Sequence, residues 1–271
     1  MTTATVNENG AFGLKGRRAL VTGSTGGLGL ALAQALSRAG CDVMLSGLEA
    51  SAKVQPQIDS IRLESDSIVA YRQADLSSID GVNALVDATA KQLSGVDILV
   101  NNAVVRHFGP IADLSPENWE HGLAVNLSAA FYSTRRVLPA MRQNGFGRIF
   151  NMVSVYGLRG TPDRVGYVTA KAALIGLTRA VALENLDYDI TCHALCPGSV
   201  LTPGTEERVE AMVAEGLDRA AAERRFLEGK QPSGRFVSTS SVADLLVFLC
   251  GPVAQDMTGS LLPVEGGWLA S

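Results

Sequence analysis

Apolar and polar positions along this chain change period in regular blocks. RRALVTG, from Arg17 to Gly23, reads as a short buried strand that runs into a glycine-rich turn. Leu28 to Ala39 follows as a helix, with Leu28, Leu32, Ala35 and Leu36 at helical spacing and Gly40 as its stop. Cys41–Gly47 (CDVMLSG) is a second strand, Val54 to Ser65 is helix-like, and SIVAYRQADL is a third strand ending at Asp75. Ser78 to Leu93 is a helix closed by Gly95, and VDILVNNA, Val96 to Ala103, is a fourth strand. Ser115-Pro116 with Glu117 gives the start signals of a helix whose pattern runs from about Trp119 to Met141. GRIFNMVS (Gly147–Ser154) is a fifth strand, Tyr167 to Leu186 a helix, and ITCHALCPG (Ile190–Gly198) a sixth strand. Pro203 to Gly229 is charged and helix-prone, Ser241 to Leu249 is a further helix, and SLLPVEGG holds a last strand.

Strand–helix alternation of this kind predicts a parallel sheet with helices on both faces. At 271 residues the chain has room for one large domain or two small ones. It shows no Pro/Gly/Ser-rich linker, no repeat and no low-complexity tract. The expectation is an α/β single-domain, Rossmann-type doubly wound parallel sheet with a helical substrate lid. It spans residues 15–271, after a flexible N-terminus of residues 1–14, with the lid at about 199–235.

Composition narrows the function classes. Apolar residues are 46% and charged residues 18% of the chain, an ordinary globular balance that excludes wholesale disorder. The net charge of −4 offers no basic surplus for phosphate contacts along a duplex, so nucleic acid is not an expected partner. No run of 18 or more apolar residues is present, and Val242–Cys250 is short and interrupted by Asp244, so no membrane span is expected. MTTATVNENGAFG lacks the basic patch and apolar core of a secretory signal, and a cytoplasmic protein is expected. Cys41, Cys192, Cys196 and Cys250 form no C-x-x-C pair, and with His107, His121 and His193 the only histidines no metal site is expected. The cysteines read as buried thiols in a reducing compartment.

Two local patterns carry chemistry. TGSTGGLG, Thr22 to Gly29, sits where a strand ends and a helix begins. Glycines there let backbone approach a pyrophosphate, and the helix N-terminus supplies unpaired N–H groups and a positive dipole end. Tyr167 and Lys171 stand four residues apart and share a helical face. An ammonium beside a phenol favours phenolate, which suits a group that takes or gives a proton during alcohol–ketone interconversion.

The spacing Gly23-x-x-x-Gly27-x-Gly29, Asn101-Asn102-Ala103 ending strand four, Asn126, Ser154, Tyr167-x-x-x-Lys171 and Pro197-Gly198 resemble, in order and spacing, the short-chain dehydrogenase/reductase family. The resemblance covers residues 15–271 and implies a dehydrogenase acting on a CH–OH group. It implies that Tyr167 is the general acid/base, that Ser154 hydrogen-bonds the substrate oxygen, and that Lys171 holds the nicotinamide ribose and tunes Tyr167. Asn126 would position a water that connects Lys171 to solvent. The cofactor would lie against Gly23, Thr25, Gly27, Leu28, Gly29, Leu48, Asp75, Leu76, Asn102, Tyr167, Lys171, Pro197, Gly198 and Val200. Val104 replaces a usual glycine next to the nicotinamide ribose, which puts the local geometry in question.

After strand two the chain reads Ser46-Gly47-Leu48-Glu49, with no cation for a 2′-phosphate, so NAD is the expected cofactor. Glu49 is either a ribose-binding acid or a solvated loop charge, and in both cases it repels phosphate. Within the family, KQPSGRFVSTSSVADLLVFLC (Lys230–Cys250), GGWLA (Gly266–Ala270), CPGSVLTP and LPAMR resemble the D-3-hydroxybutyrate dehydrogenases. That likeness implies a small anionic hydroxy acid held by Arg106, Ser154, Tyr156, Arg164, Tyr167, Arg208 and Trp268. Arg106, Arg164 and Arg208 stand where Gln, Lys and Gln are usual, Tyr156 where His is usual, and Ser199 where a tryptophan is usual. Arginine forks match carboxylate, sulfonate and phosphate oxygens, so an acid larger or more charged than hydroxybutyrate is an alternative. Other readings are arginines that face solvent, an Arg208 paired with Glu206, Glu207 or Glu210, a neutral ketone, sugar or acyl-carrier substrate, and an inactive NAD-sensing protein. A homotetramer is expected, with Val242–Cys250 and the GGWLA tail buried between subunits.

Overall fold

Seven short apolar segments pair side by side, all parallel, in the order β3-β2-β1-β4-β5-β6-β7. They are β1 (Arg18–Val21), β2 (Asp42–Gly47), β3 (Val69–Gln73), β4 (Ile98–Asn101), β5 (Gly147–Met152), β6 (Ile190–Pro197) and β7 (Leu261–Val264). The computed structural model describes residues 13–271. Strands β5 and β6 are buried along their whole length, as a sheet covered on both faces requires. Strand order reverses between β1 and β4, so the loops leaving these two strands diverge. A crevice opens at their C-terminal ends, where ligands of doubly wound sheets bind.

One face is covered by α1 (Gly27–Arg38), α2 (Ser51–Glu64) and α9 (Thr239–Cys250), whose Leu32, Leu36, Val54, Val242 and Leu246 share one core. The other is covered by α3 (Ile79–Leu93), α5 (Ala129–Asn144) and α6 (Val165–Leu183), through Val82, Leu85, Val137, Met141 and Val181. Helix starts follow the polar caps: Ser78 accepts from the Gly81 N–H, and Ser115, followed by Pro116, accepts from the Asn118 N–H. The segment from Pro116 to Asn144 runs as α4 (Pro116–Leu123), a single wide π turn at Ala124–Ser128, and then α5. α6 has the length and composition of a membrane-crossing helix. It packs on β6 and keeps Lys171 buried, as a core helix does.

The helix expected over Pro203–Gly229 divides into α7 (Pro203–Ala214) and α8 (Arg219–Leu227). Gly216, at φ +107°, breaks it, and Asp218 caps α8 by accepting from the Ala221 N–H. The two helices enclose a small core of their own, Val209, Ala222, Phe226 and Leu227. Arg219 ties them together through Glu206, Glu210 and Glu223.

One expectation needs correction. Leu14, assigned to a flexible terminus, is buried in the main core, and Gly16 donates to the Gly40 carbonyl, so the folded domain includes residue 14. Residues 1–12 of that terminus lie outside the described residues. In α9, Phe248 is left exposed on the outer face, and Val242, Ala243, Leu246, Val247, Leu249 and Cys250 face the chain's own core, against α1. Trp268 of the tail is likewise buried, edge-on to Tyr156.

Candidate active site

A cleft of about 730 Å³ opens at the C-terminal edge of the sheet, and it has two chemically distinct ends. At one end backbone does the shaping. A Cβ on Gly23 would lie 2.7 Å from Ala103 Cα, and one on Gly29 would overlap the Gly23 carbonyl and come within 2.5 Å of Asn102 Nδ2. Only glycine lets the β1–α1 loop rest directly on the end of β4. Asn102 Nδ2 fastens the contact by donating to the Thr22 and Gly23 carbonyls at 3.0 and 2.8 Å. Thr22 Oγ1 accepts from the Asn102 and Ala103 N–H groups.

The first turn of α1 has no side-chain cap and no acidic residue, and Gly26, Gly27 and Leu28 line the cleft there. Its free N–H donors fit a pyrophosphate. Thr25, Gly29, Leu48, Asp75, Leu76, Asn102, Pro197, Gly198 and Val200 line the same space. Glu49 is folded onto the glycine loop, where its Oε1 accepts from Thr25 Oγ1 at 3.1 Å. The Tyr71 hydroxyl and Gln73 Nε2 hold the backbone of Glu49 and Leu48, so this acid is placed rather than free in solvent. The Ser77 N–H holds the Asp75 carboxyl below the usual carboxylate range. A nicotinamide dinucleotide therefore fits this end.

At the centre, β5 ends at Met152 and the chain passes through Ser154 to α6. Tyr167 and Lys171 face the cleft one helical turn apart, and both are buried. Lys171 Nζ donates to the Met152 carbonyl at 2.6 Å and lies 5.6 Å from the Tyr167 ring centre. Burial, and then the charge of Arg106, push Lys171 down to about 7. Ser154 Oγ accepts from the Tyr156 N–H at 3.2 Å, and its free donor is open to the cleft.

Asn126 is the one predicted site residue that does not line this cleft. Sitting in the π turn, it grips Val105: Oδ1 accepts from the Val105 N–H and Nδ2 donates to the Val105 carbonyl, both at 2.9 Å. It thereby sets the path of the loop that carries Arg106. Val104 lines the cleft and is not in the left-handed region, so the chain does not need glycine's φ there.

The far end is cationic. Arg106 lies 5.5 Å from the Tyr167 ring centre, and Arg164 sits over Tyr156 at 5.2 Å and Phe108 at 4.8 Å. From the lid, Arg208 lies 4.9 Å and Lys230 4.2 Å from the Phe226 ring centre. Burial lowers Arg164, with Arg208 and Arg106 adding to the effect; Lys230 is lowered by burial, Arg208 and Arg164. Among the described residues, the only carboxylates lining the cleft, Glu49 and Asp75, are at the opposite end. Arg208 is not paired with its acidic neighbours: Glu206 and Glu210 are held by Arg219, and among the described residues no carboxylate bridges Arg208. Sequence reasoning missed Lys230, Phe226 and Phe108. Nothing in linear spacing ties Lys230 to Arg208, because a shared aromatic ring brings them together.

The comparisons with known proteins agree with this architecture. The family model described as short chain dehydrogenase matches residues 17–213. D-beta-hydroxybutyrate dehydrogenase of Cupriavidus necator is 38% identical over 262 residues, covering 95% of this chain and 99% of that protein. The enzyme of the same name from Rhizobium meliloti is 35% identical, covering 94% of this chain and 99% of its own length. Among solved structures, L-sorbose reductase from Gluconobacter frateurii complexed with NADPH and L-sorbose superimposes with a TM-score of 0.89 at 28% identity, covering 95% and 98% of the two chains. Sheet order, glycine loop and the Ser154–Tyr167–Lys171 arrangement thus meet in one place with a matching family model, and this chain belongs to the short-chain dehydrogenase family.

Proposed function

We propose that the protein is an NAD-dependent dehydrogenase that interconverts an anionic hydroxy acid and its keto acid. The observation that carries this reading is the position of Tyr167: it lies between an uncapped helix N-terminus suited to a dinucleotide and a cluster of arginines that have no carboxylate partners among the described residues. The names of the two bacterial relatives support a small hydroxy acid.

The bound nicotinamide supplies the hydride acceptor or donor. The chain's residues do the rest. In the oxidative direction Tyr167 takes the hydroxyl proton as the carbon–oxygen bond becomes a carbonyl. Ser154 Oγ–H donates to that oxygen and fixes its position. Positive charge at Arg106, 5.5 Å from the ring centre, compensates charge on Tyr167. Asn126 is a positioning residue, acting through the backbone of Val105.

NAD is favoured because Glu49 occupies the side of the glycine loop where a 2′-phosphate would need a cation. The neighbour solved with NADPH leaves the choice to this local feature. We assign a homotetramer with two interfaces, one through the exposed face of α9 and the tail, where Phe248 and Leu269 reach solvent, and one through the outer faces of α5 and α6. Phe131 and Leu183 are exposed there beside the small residues Ala172, Ala173, Gly176 and Ala180. Closed symmetric assembly buries such a face.

The test is NAD reduction across anionic and neutral hydroxy compounds, by the parent and by Tyr167→Phe. We expect turnover of an acid that falls by roughly 10²- to 10⁴-fold in Tyr167→Phe, with NAD affinity retained. Substantial turnover by folded Tyr167→Phe would overturn the assignment. So would activity on neutral compounds alone.

A further inference from the structure

The family-like centre accounts for Tyr167, Lys171 and Ser154, and the acid reading accounts for Arg106 and Arg164. It leaves Lys230 without a role. Lys230 follows α8, donates from Nζ to the Phe226 carbonyl at 2.6 Å, and shares the Phe226 ring with Arg208 of α7. Phe226 is buried in the core of the lid, so ring and cations are carried by one rigid hairpin. Among the described residues, the half of the cleft facing that hairpin holds four cations, Arg106, Arg164, Arg208 and Lys230, and no carboxylate.

Like charges gathered in a partly buried space repel, and neighbouring acids normally relieve them. Here two neighbouring acids are used elsewhere, Glu206 and Glu210 being held by Arg219, and among the described residues no ion pair neutralises Arg106, Arg164, Arg208 or Lys230. A ligand must therefore supply the counter-charge. One carboxylate meets one pair of cations. Arg106 and Arg164 stand on the body of the domain beside Tyr167, whereas Arg208 and Lys230 stand on the lid. These are two stations on two different parts of the fold.

Resting on the acid reading above, we propose that the substrate is a hydroxy acid with two separate anionic groups. Arg106 and Arg164 hold the group beside the reacting carbon, and Arg208 and Lys230 hold the distal one. The distal group is a carboxylate, sulfonate or phosphonate, all of which offer the oxygens these donors need. Binding it draws the lid down, because both of its partners ride on the hairpin.

The experiment compares 3-hydroxybutyrate with 3-hydroxyglutarate and 3-hydroxyadipate, and with analogues whose distal carboxylate is replaced by sulfonate or phosphonate. The parent is expected to prefer at least one dianion over the monoanion by 10-fold or more in kcat/KM. In Lys230→Met, which keeps an apolar stem on Phe226, that preference ratio should fall by roughly 10- to 100-fold, mostly through KM. Lys230→Arg should retain it. In the cofactor-free protein, glutarate should raise the melting temperature more than butyrate, and Lys230→Met should abolish the difference.

The inference is overturned if 3-hydroxybutyrate is used as well as every dianion, or if Lys230→Met lowers both classes equally. Either result leaves the acid reading standing. Turnover of neutral alcohols alone would instead remove the acid reading itself.

Discussion

The two ends of the cleft are made of different materials. The cofactor end is built from backbone: Gly23 and Gly29 let two loops touch, and the uncapped first turn of α1 presents N–H groups at fixed positions. The cationic end, proposed to take the substrate, is built from the tips of long side chains, Arg106, Arg164, Arg208 and Lys230, seated on aromatic rings. A backbone site tolerates almost no change because a single Cβ collides with main chain. A side-chain site can be rewritten residue by residue while the fold stays the same. The difference explains how one architecture keeps one cofactor type and takes many substrates.

Breaking the rigid end should have the largest effect. Gly29→Ala puts a methyl against the Gly23 carbonyl and Asn102, which must move, at a cost of about 1–3 kcal/mol in stability. NAD affinity, measured by titration calorimetry, should fall by at least 10-fold. A Gly29→Ala protein that binds NAD normally would show that this contact is not what shapes the site.

The adaptable end should respond more gently and selectively. Arg164→Ala and Arg106→Ala each remove a charge-assisted contact worth about 1.5–3 kcal/mol, so kcat/KM for the best acid should fall roughly 10- to 100-fold. Any neutral analogue that is turned over should be spared. Unchanged kcat/KM in both variants would contradict the anion pocket. Glu49→Arg sharpens the comparison from the cofactor side. It replaces the acid bonded to Thr25 with a cation, and the NADP/NAD ratio of kcat/KM should rise by about 10-fold or more. A ratio that stays put would mean that Glu49 does not face the 2′ position.

The smallest effect concerns the centre. Lys171 is held at about 7 in the folded protein, against about 10.5 when unfolded. Between those values the unfolded chain carries the proton and the native one does not, so this group makes stability rise as pH increases from about 7 to about 10.5. Below that window the cost of the buried charge is at its full value. Lys171→Met, although inactive, should therefore melt a few degrees above the cofactor-free parent at pH 6. The gap should narrow as the pH approaches 10. A constant gap, or a lower melting point at pH 6, would show that the hydrogen bond to Met152 outweighs the burial of charge.

How much was legible in the sequence follows from the same contrast. The glycine loop, Asn102, Ser154 and the Tyr167–Lys171 pair were readable because their geometry is local: a strand end, a helix start, one helical turn. The strand–helix alternation was readable because each element needs its own apolar face. Which face of α9 meets the core was not, because an apolar run does not name its partner, and packing places Val242 and Leu246 against α1. Nor did spacing reveal that Asn126 would grip Val105, because the π turn that aims it leaves no mark in the hydrophobic period.

Sequence alone determined the parallel doubly wound sheet, the dinucleotide-shaped loop and the Tyr167–Lys171 pair on one helical face, because short-range backbone and helix geometry dictate them. Tertiary structure decided which charges face the cleft. Arg208 has acids beside it in the chain, and in sequence it reads equally well as one half of a surface ion pair. Folding brings Arg219, thirteen residues beyond Glu206, close enough to capture those acids. It also brings Lys230 onto the same Phe226 ring as Arg208. Coulomb interactions act through space and favour whichever partner lies nearest, and which partner is nearest is known only once the lid hairpin has folded.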